Sequence, residues 1–241
     1  MSRSVRPSKA ELEAQLASRF GDALKLREKS HKEALPTGIA ELDAIAEGGL
    51  PRGAITEILG PASSGRTSVL LSILAEATAR QEVCALVDAC DAFDVQSGSD
   101  AGIDFERLLW VGCDSNPENA LRAAEILLQS GGFGLVVLDL GDVKSYAIPS
   151  NTWFRLRRAI EGTPTCLLVI EREPNARPCA ALTLEMERQT GIWSGSPGVE
   201  PDNIQSWSIV LRGAKLHIER RKPVKSMIPR VDIETSVEFG K

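Results

Sequence analysis

The sequence predicts an α/β fold in which a mostly parallel central sheet is flanked by helices, with antiparallel strands toward the C-terminus. Three observations carry that expectation. Short β-rich apolar runs alternate with helical patterns between residues 54 and 171, the order expected of βαβ units. The runs LVVLDL (135–140) and CLLVI (166–170) are apolar on both faces, as strands covered by helices on either side are. A composition of 43% hydrophobic and 25% charged over 241 residues fits one large globular domain with or without an appendage, and excludes disorder throughout.

In chain order, Leu12, Leu16, Phe20 and Leu24 recur every four residues between Lys9 and Lys29, with Ala17 and Ala23 beside them. That spacing predicts an amphipathic helix, which Gly21 weakens without breaking. Pro36 and Gly38 punctuate the chain after it, so residues 1–33 read as an N-terminal helical arm and residues 34–241 as the core domain. Two surfaces satisfy the arm's apolar stripe: its own domain, or a neighbouring subunit. The core then runs strand AITEIL (54–59), helix 65–80, strand VCALVDA (83–89), helix 117–130, strand GLVVLDL (134–140), helix 151–161 and strand CLLVIE (166–171). Ser115, Asn116 and Pro117 announce the helix at 117, with Ser115 and Glu118 at capping-box spacing. From about residue 180, ALTLEME, SWSIVL and AKLHIER read as antiparallel strands, and GIWSGSPGVEPDN as a mobile loop among them.

Composition removes several classes of function. Five cysteines without a CxxC pair argue against a disulfide framework or a zinc site. Two histidines, His31 and His217, leave little material for a Ser-His-Asp triad or a histidine metal centre. No run approaches eighteen apolar residues and the start lacks the apolar stretch of a signal peptide, so a cytoplasmic protein with no membrane contact is expected. Charge is divided: residues 1–33 carry 8 Lys+Arg against 5 Asp+Glu, residues 34–204 carry 12 against 24, and residues 205–241 carry 8 against 4. An acidic middle between basic ends makes any single-stranded DNA contact local, weak or indirect.

One segment carries chemistry. In GPASSGRTS (60–68), Gly60 and Gly65 stand five apart after a predicted strand, and Thr67 follows two places later. This is the frame of the phosphate loop GxxxxGK[ST], whose glycines let backbone N–H groups curl around phosphate at a helix N-terminus. Gly60, Ser63, Ser64, Gly65, Arg66, Thr67 and Ser68 are the candidate nucleotide-binding residues, with the Thr67 hydroxyl a candidate Mg²⁺ ligand. Arg66 replaces the lysine, and a planar guanidinium is no drop-in substitute for a compact ammonium. A glycine-rich strand-to-helix turn without a ligand is the other reading of these residues.

The stretch ALPTGIAELDAIAEGGLPRGAITEILGPASSGRTS (34–68) resembles the core of the RecA recombinases, and the resemblance continues through VDACDAFD (87–94) and LVVLDL to about residue 175. It implies a RecA-like core with ATP or ADP and Mg²⁺ as cofactors, and puts Asp139 where a Walker-B aspartate orders the metal's water. Asp139 reads equally as a buried strand-end carboxylate. IERRKP (218–223) resembles the strand from which recombinases send two basic residues into a neighbour's nucleotide site, matching Arg220 and Lys222. With Arg212, Lys215, Arg221, Lys225 and Arg230 they also read as a polar strand face and tail.

The departures from the family pattern matter as much. Cys90 falls where the family places its general-base glutamate, and the neighbouring Asp91 should face the other way at a strand end. Phosphoryl transfer rests on positioning and charge stabilisation, so these changes predict little or no ATPase activity, no catalytic residue, and nucleotide that is weakly held and not required. Residues 141–165 are short where the recombinases place a DNA-contacting loop and a long helix, and REPNARPCAALTLE (172–185) stands in place of their glycine- and threonine-rich second DNA loop. Arg155, Arg157 and Arg158 beside Trp153 and Phe154 fit either a single-strand contact or, preferably, a solvated helix face with a buried aromatic.

Together, TGIAELDA, GGLPRGAITEI, SSGRT and RGAKLHIERRK make the chain similar to the ImuA group of RecA-related proteins. That resemblance implies a non-catalytic adaptor in damage-induced translesion mutagenesis, with RecA or a second copy of itself, met through the N-terminal arm, and translesion polymerases as partners. The competing expectation is an active ATP-dependent recombinase in which Arg66 and Asp91 supply the missing roles.

Overall fold

The computed structural model describes residues 34–143, 148–176, 178–193, 211–224 and 229–236. The arm expected over 1–33, the run SWSIVL up to Val210, most of GIWSGSPGVEPDN, and Lys225 lie outside the described residues, as does the side chain of Arg212.

An eight-stranded sheet organises the core. Helix α1 (Ala40–Ile45) leads to strand β1 (Ala54–Leu59), helix α2 (Arg66–Ala79), strand β2 (Cys84–Asp88), helix α3 (Val95–Asp100) and strand β3 (Leu108–Gly112). Helix α4 (Pro117–Ser130), strand β4 (Leu135–Gly141), helix α5 (Ser150–Ile160) and strand β5 (Cys166–Glu171) follow, then strands β6 (Ala180–Trp193), β7 (Leu211–Lys222) and β8 (Arg230–Ser236). The strand order is β3-β2-β4-β5-β1-β6-β7-β8. Every pairing from β3 to β6 is parallel, and β7 and β8 add antiparallel to that edge. The predicted α/β class and mostly parallel sheet are therefore observed. The antiparallel part is confined to β6, β7 and β8, since β6 also pairs parallel with β1.

Alternation along the doubly apolar strands feeds two cores. Leu135 and Val137 of β4 pack with Ile58 of β1 and with Ile73 and Leu74 of α2, whereas Val136, Leu138 and Leu140 pack with Trp153 and Leu156 of α5. Burying each such side chain stabilises the fold by roughly 1.5–3 kcal/mol. On α2, Val69, Leu70, Ile73, Leu74 and Ala77 form the buried stripe.

Local chemistry fixes two helix starts. Asn116, rather than Ser115, caps α4: its side-chain oxygen accepts from the backbone N–H of Glu118 at 2.9 Å and of Asn119 at 3.3 Å. Asp94 caps the short α3, accepting from the Ser97 N–H at 2.9 Å. Between β5 and β6 the chain crosses the α5 face of the sheet without a helix, and Ala176 and Cys179 join that core. The C-terminal ends of β1, β2 and β4 bring the residues after them to one edge of the sheet. No helix among the described residues is long and apolar enough to cross a membrane.

Candidate phosphate site

The glycines of the loop after β1 are required by their surroundings. A Cβ on Gly60 would lie 2.5 Å from Ser64 Oγ and 2.6 Å from the Met186 carbonyl oxygen. Gly65 has φ of 91°, and a Cβ there would lie 2.2 Å from Leu216 Cδ1. Gly65 is also the residue before α2, and no side chain caps that helix, so its first N–H groups open into the loop. Ser64 Oγ is buried with no hydrogen-bond partner, an orphan of the sort that a bound acceptor resolves. Two hollows meet here. One of about 270 Å³ lies between residues 63–68 and Arg188, Gly213, Leu216 and Thr235 of β6, β7 and β8. A larger groove of about 890 Å³ starts at Thr67 and Ser68 and runs along α2 to Phe93, Asp94 and Ser97. A phosphate group fits the cradle, and an organic body attached to it would have the groove to lie in.

The other side of the site is closed by the protein itself. Arg66 Nη1 donates to the Gly141 carbonyl at 3.1 Å and Nη2 to Asp142 Oδ1 at 3.2 Å, and its side chain is 11% exposed. Asp139 Oδ1 accepts from the Gly141 N–H at 2.9 Å. Burial pushes the Asp139 carboxyl above its ordinary range, and Asp88 and Asp142 push the same way, against the pull of the Gly141 N–H and Arg66. The Cys90 thiol donates to the Leu140 carbonyl at 3.5 Å, and burial, its largest influence, raises it, so it stays protonated. The positions of the family's lysine, general base and Walker-B aspartate thus converge on one turn, residues 140–142. Asp139 is half-buried and bonded to the backbone of the turn, an arrangement that both readings of it accommodate. Because the Arg66 guanidinium already holds Asp142, and no three His, Cys, Asp or Glu side chains among the described residues could hold a metal ion, the residues present suit a metal poorly, while the cradle suits phosphate.

Asp91 is committed elsewhere. It has φ of 53°, and its carboxylate accepts from the N–H groups of Cys113 at 3.0 Å and Ser115 at 2.7 Å, holding the loop after β3. The basic pair divides. Arg220 is buried and donates through Nη1 to Glu47 Oε1 of the same chain at 2.9 Å. Lys222 ends β7 opposite Thr183. Arg221 turns to the other face, where it meets Glu185 at 2.5 Å and Glu219 at 2.9 Å. On α5, Trp153 is buried, Phe154 is 54% exposed, and Arg155 pairs with Glu125 at 3.1 Å.

A buried carboxyl pair, which sequence reasoning missed, pins the crossover that stands in place of the second DNA loop. Glu57 accepts from the Ala176 N–H at 2.7 Å and from Thr183 Oγ1 at 3.0 Å. Glu171 accepts from the Asn175 N–H at 3.1 Å and Nδ2 at 2.5 Å. Burial, with the neighbouring Glu57 acting the same way, pushes the Glu171 carboxyl up to about 9, so Glu171 keeps its proton at neutral pH. Gly141, Asp142 and the groove residues Phe93, Asp94 and Ser97 were missed as well. They follow the strand ends after an interval that no recognised spacing marks, although Asp94 does show the cap signal before a short helix.

Comparison with known proteins agrees with this geometry. A family model described as the RecA N-terminal domain matches residues 10–146. Protein RecA of Aquifex aeolicus is 39% identical over 226 residues, covering 83% of this chain and 61% of that protein. Protein RecA of Symbiobacterium thermophilum is 42% identical over 132 residues, 52% of this chain and 37% of that protein. Protein RecA of Cutibacterium acnes is 46% identical over 107 residues, 44% and 30% respectively. The chain spans between 30% and 61% of the length of these relatives.

Proposed function

Because the chain belongs to the RecA family, we propose that it is a RecA-like adaptor or regulator with little or no turnover, acting in the cytoplasm in the DNA damage response and translesion mutagenesis. The observation that carries this reading is the turn at 140–142. Arg66, Cys90 and Asp139, which stand where catalysis would need a lysine, a base and a metal ligand, are instead bonded to that turn. ATP or ADP is held weakly at the glycine cradle, with or without Mg²⁺, and is not required. DNA contact is weak or indirect.

The partner surface we assign is the free edge of β3. Among the described residues that strand pairs only with β2, at the end of the sheet, and its residues Leu108, Leu109, Trp110, Val111 and Gly112 carry no charge. Leu109 and Trp110 are each 45% exposed. An uncharged edge with apolar side chains outward is a template for an added strand, which natural monomers normally blunt with charge or proline. RecA is the partner proposed for it, with translesion polymerases as further contacts.

Calorimetry with ATP, ADP and Mg²⁺, with and without single-stranded DNA, together with phosphate release, tests the reading. Weak or absent nucleotide binding without phosphate release is expected. DNA-stimulated release would replace the adaptor with an active ATP-dependent recombinase, the alternative that the intact cradle and the orphaned Ser64 hydroxyl favour.

A further inference from the structure

We infer that the Arg66 guanidinium is the resident cation of this site, taking the place of a metal ion beside the strand-end carboxylates and holding the turn at 140–142 closed whether or not nucleotide is bound. The inference deepens the non-catalytic reading and rests on it.

Three carboxylates lie near the ends of β2 and β4: Asp88 and Asp139 are register neighbours and Asp142 follows β4, yet among the described residues no three such groups stand close enough to hold a metal ion. Asp88 is satisfied by the backbone, accepting from the N–H groups of Cys90 at 3.2 Å and Phe93 at 2.8 Å. Asp139 takes the Gly141 N–H, and Asp142, half exposed, takes Arg66. Asp139 adjoins Asp88 across the β2–β4 register, and Arg66 reaches the turn just beyond Asp139, so the guanidinium stands where these carboxylates gather. Clustered carboxylates at a buried strand end are costly unless a cation compensates them. In many phosphate-binding sites that cation is a bound metal.

The shape of the arginine matters as well as its charge. Its planar fork donates in two directions at once, to the Gly141 carbonyl and the Asp142 carboxylate, where a lysine offers one compact charged centre. Gly141 meets the fork only because of its backbone. Its φ is 54°, and Cys90 Sγ lies where a side chain on Gly141 would go. Arg66 stands at the start of α2 and Asp142 just past β4, so the fork ties the phosphate loop to the far side of the site. A turn held this way has no need of metal or nucleotide for its order.

Hydrogen exchange of the full chain over residues 139–143, in EDTA and in millimolar MgCl₂, tests this. The wild-type turn is expected to exchange slowly and equally in both. Arg66→Ala should exchange about tenfold faster, in EDTA and in MgCl₂ alike, because the remaining carboxylates do not form a group that could hold the ion in its place. Arg66→Lys, which keeps charge without the fork, should fall between the two. Should Arg66→Ala fail to fold, Arg66→Lys and Asp142→Asn carry the test, and each must speed exchange at the turn. Wild-type exchange in these variants overturns the inference, as does a wild-type turn that Mg²⁺ protects. Phosphate release on the same samples reports separately on the non-catalytic reading: wild-type turnover would remove that reading whatever the exchange rates are.

Discussion

The Cys90 thiol lies against Gly141: a Cβ on Gly141 would come within 2.7 Å of Cys90 Sγ, and the thiol donates to the carbonyl of the preceding Leu140. A residue at a general-base position therefore acts as the floor of the turn that Arg66 closes from above. The positive φ of Gly141 adds a backbone reason for glycine there. Gly141→Ala should destabilise the protein by about 1–3 kcal/mol, since both strain and overlap oppose it. Adding Cys90→Ala should return part of that loss, because only the overlap is relieved. Denaturant unfolding of the two single variants and the double variant checks this. Purely additive losses would show that thiol and turn are not coupled.

Arg220 offers a second test. Its side chain is 3% exposed and bonded to Glu47 within the chain, so its first role here is structural. Arg220→Ala should cost about 2–4 kcal/mol of stability and leave whatever nucleotide affinity exists unchanged. Arg221→Ala, on the exposed face beside Glu185 and Glu219, should cost under about 1 kcal/mol. A selective loss of nucleotide affinity in Arg220→Ala, with stability kept, would restore the role that the recombinase resemblance implies.

How much of this was legible varies with the physical signal. Strand Cys166–Glu171 was readable to the residue because its run CLLVI is apolar on both faces, Ala54–Leu59 because it stands just before the phosphate loop, and that loop because its glycines answer to backbone geometry. Strand β3 was missed: it is short, sits at an edge, and leaves Leu109 and Trp110 half exposed, so it shows neither clean alternation nor a fully buried run. Helix α3 has six residues and only Gly98 buried, so it has no stripe to detect. At the site, sequence identified Arg66 and Cys90 as changed. What they bond to depends on Gly141 and Asp142, brought close by the sheet across 75 and 76 positions of the chain. The Glu57 and Glu171 pair sits within two apolar strands, where a single acid reads as an interruption until adjacent strands place both on one face.

The exposed edge of β3 gives the adaptor reading a test of its own. Leu109→Lys puts a charge on the outward face of the strand without touching a core residue, and should change stability by no more than about 0.5 kcal/mol. An added partner strand would have to bury that ammonium, so affinity for RecA should fall at least about tenfold. Titration of wild type and variant against RecA filaments on single-stranded DNA would measure it. Equal affinity would place the contact elsewhere on the molecule.

The Glu57 and Glu171 pair predicts how stability depends on pH. The folded chain holds the Glu171 proton up to about pH 9, far above the ordinary value of 4.5, because ionising it would put a second charge in a buried site beside Glu57. The folded state thus binds more protons than the unfolded state between those limits. Stability from this group is complete below about pH 4.5 and declines as pH rises toward about 9, by at most about 1.4 kcal/mol per pH unit. The N–H of Ala176, the Asn175 amide and the Thr183 hydroxyl bond the pair without titrating; burial raises the nearby Cys179 thiol, so it stays protonated in that range, and the charged Lys222 stands opposite Thr183. Glu171→Gln has the same shape, can donate to Glu57 and accept from Asn175, and cannot ionise. It should be near neutral at about pH 5 and more stable than wild type by roughly 1–3 kcal/mol at about pH 8, with a flatter profile. Urea unfolding at a series of pH values decides it. Parallel profiles for the two proteins would mean that Glu171 does not carry its proton above the ordinary carboxyl range.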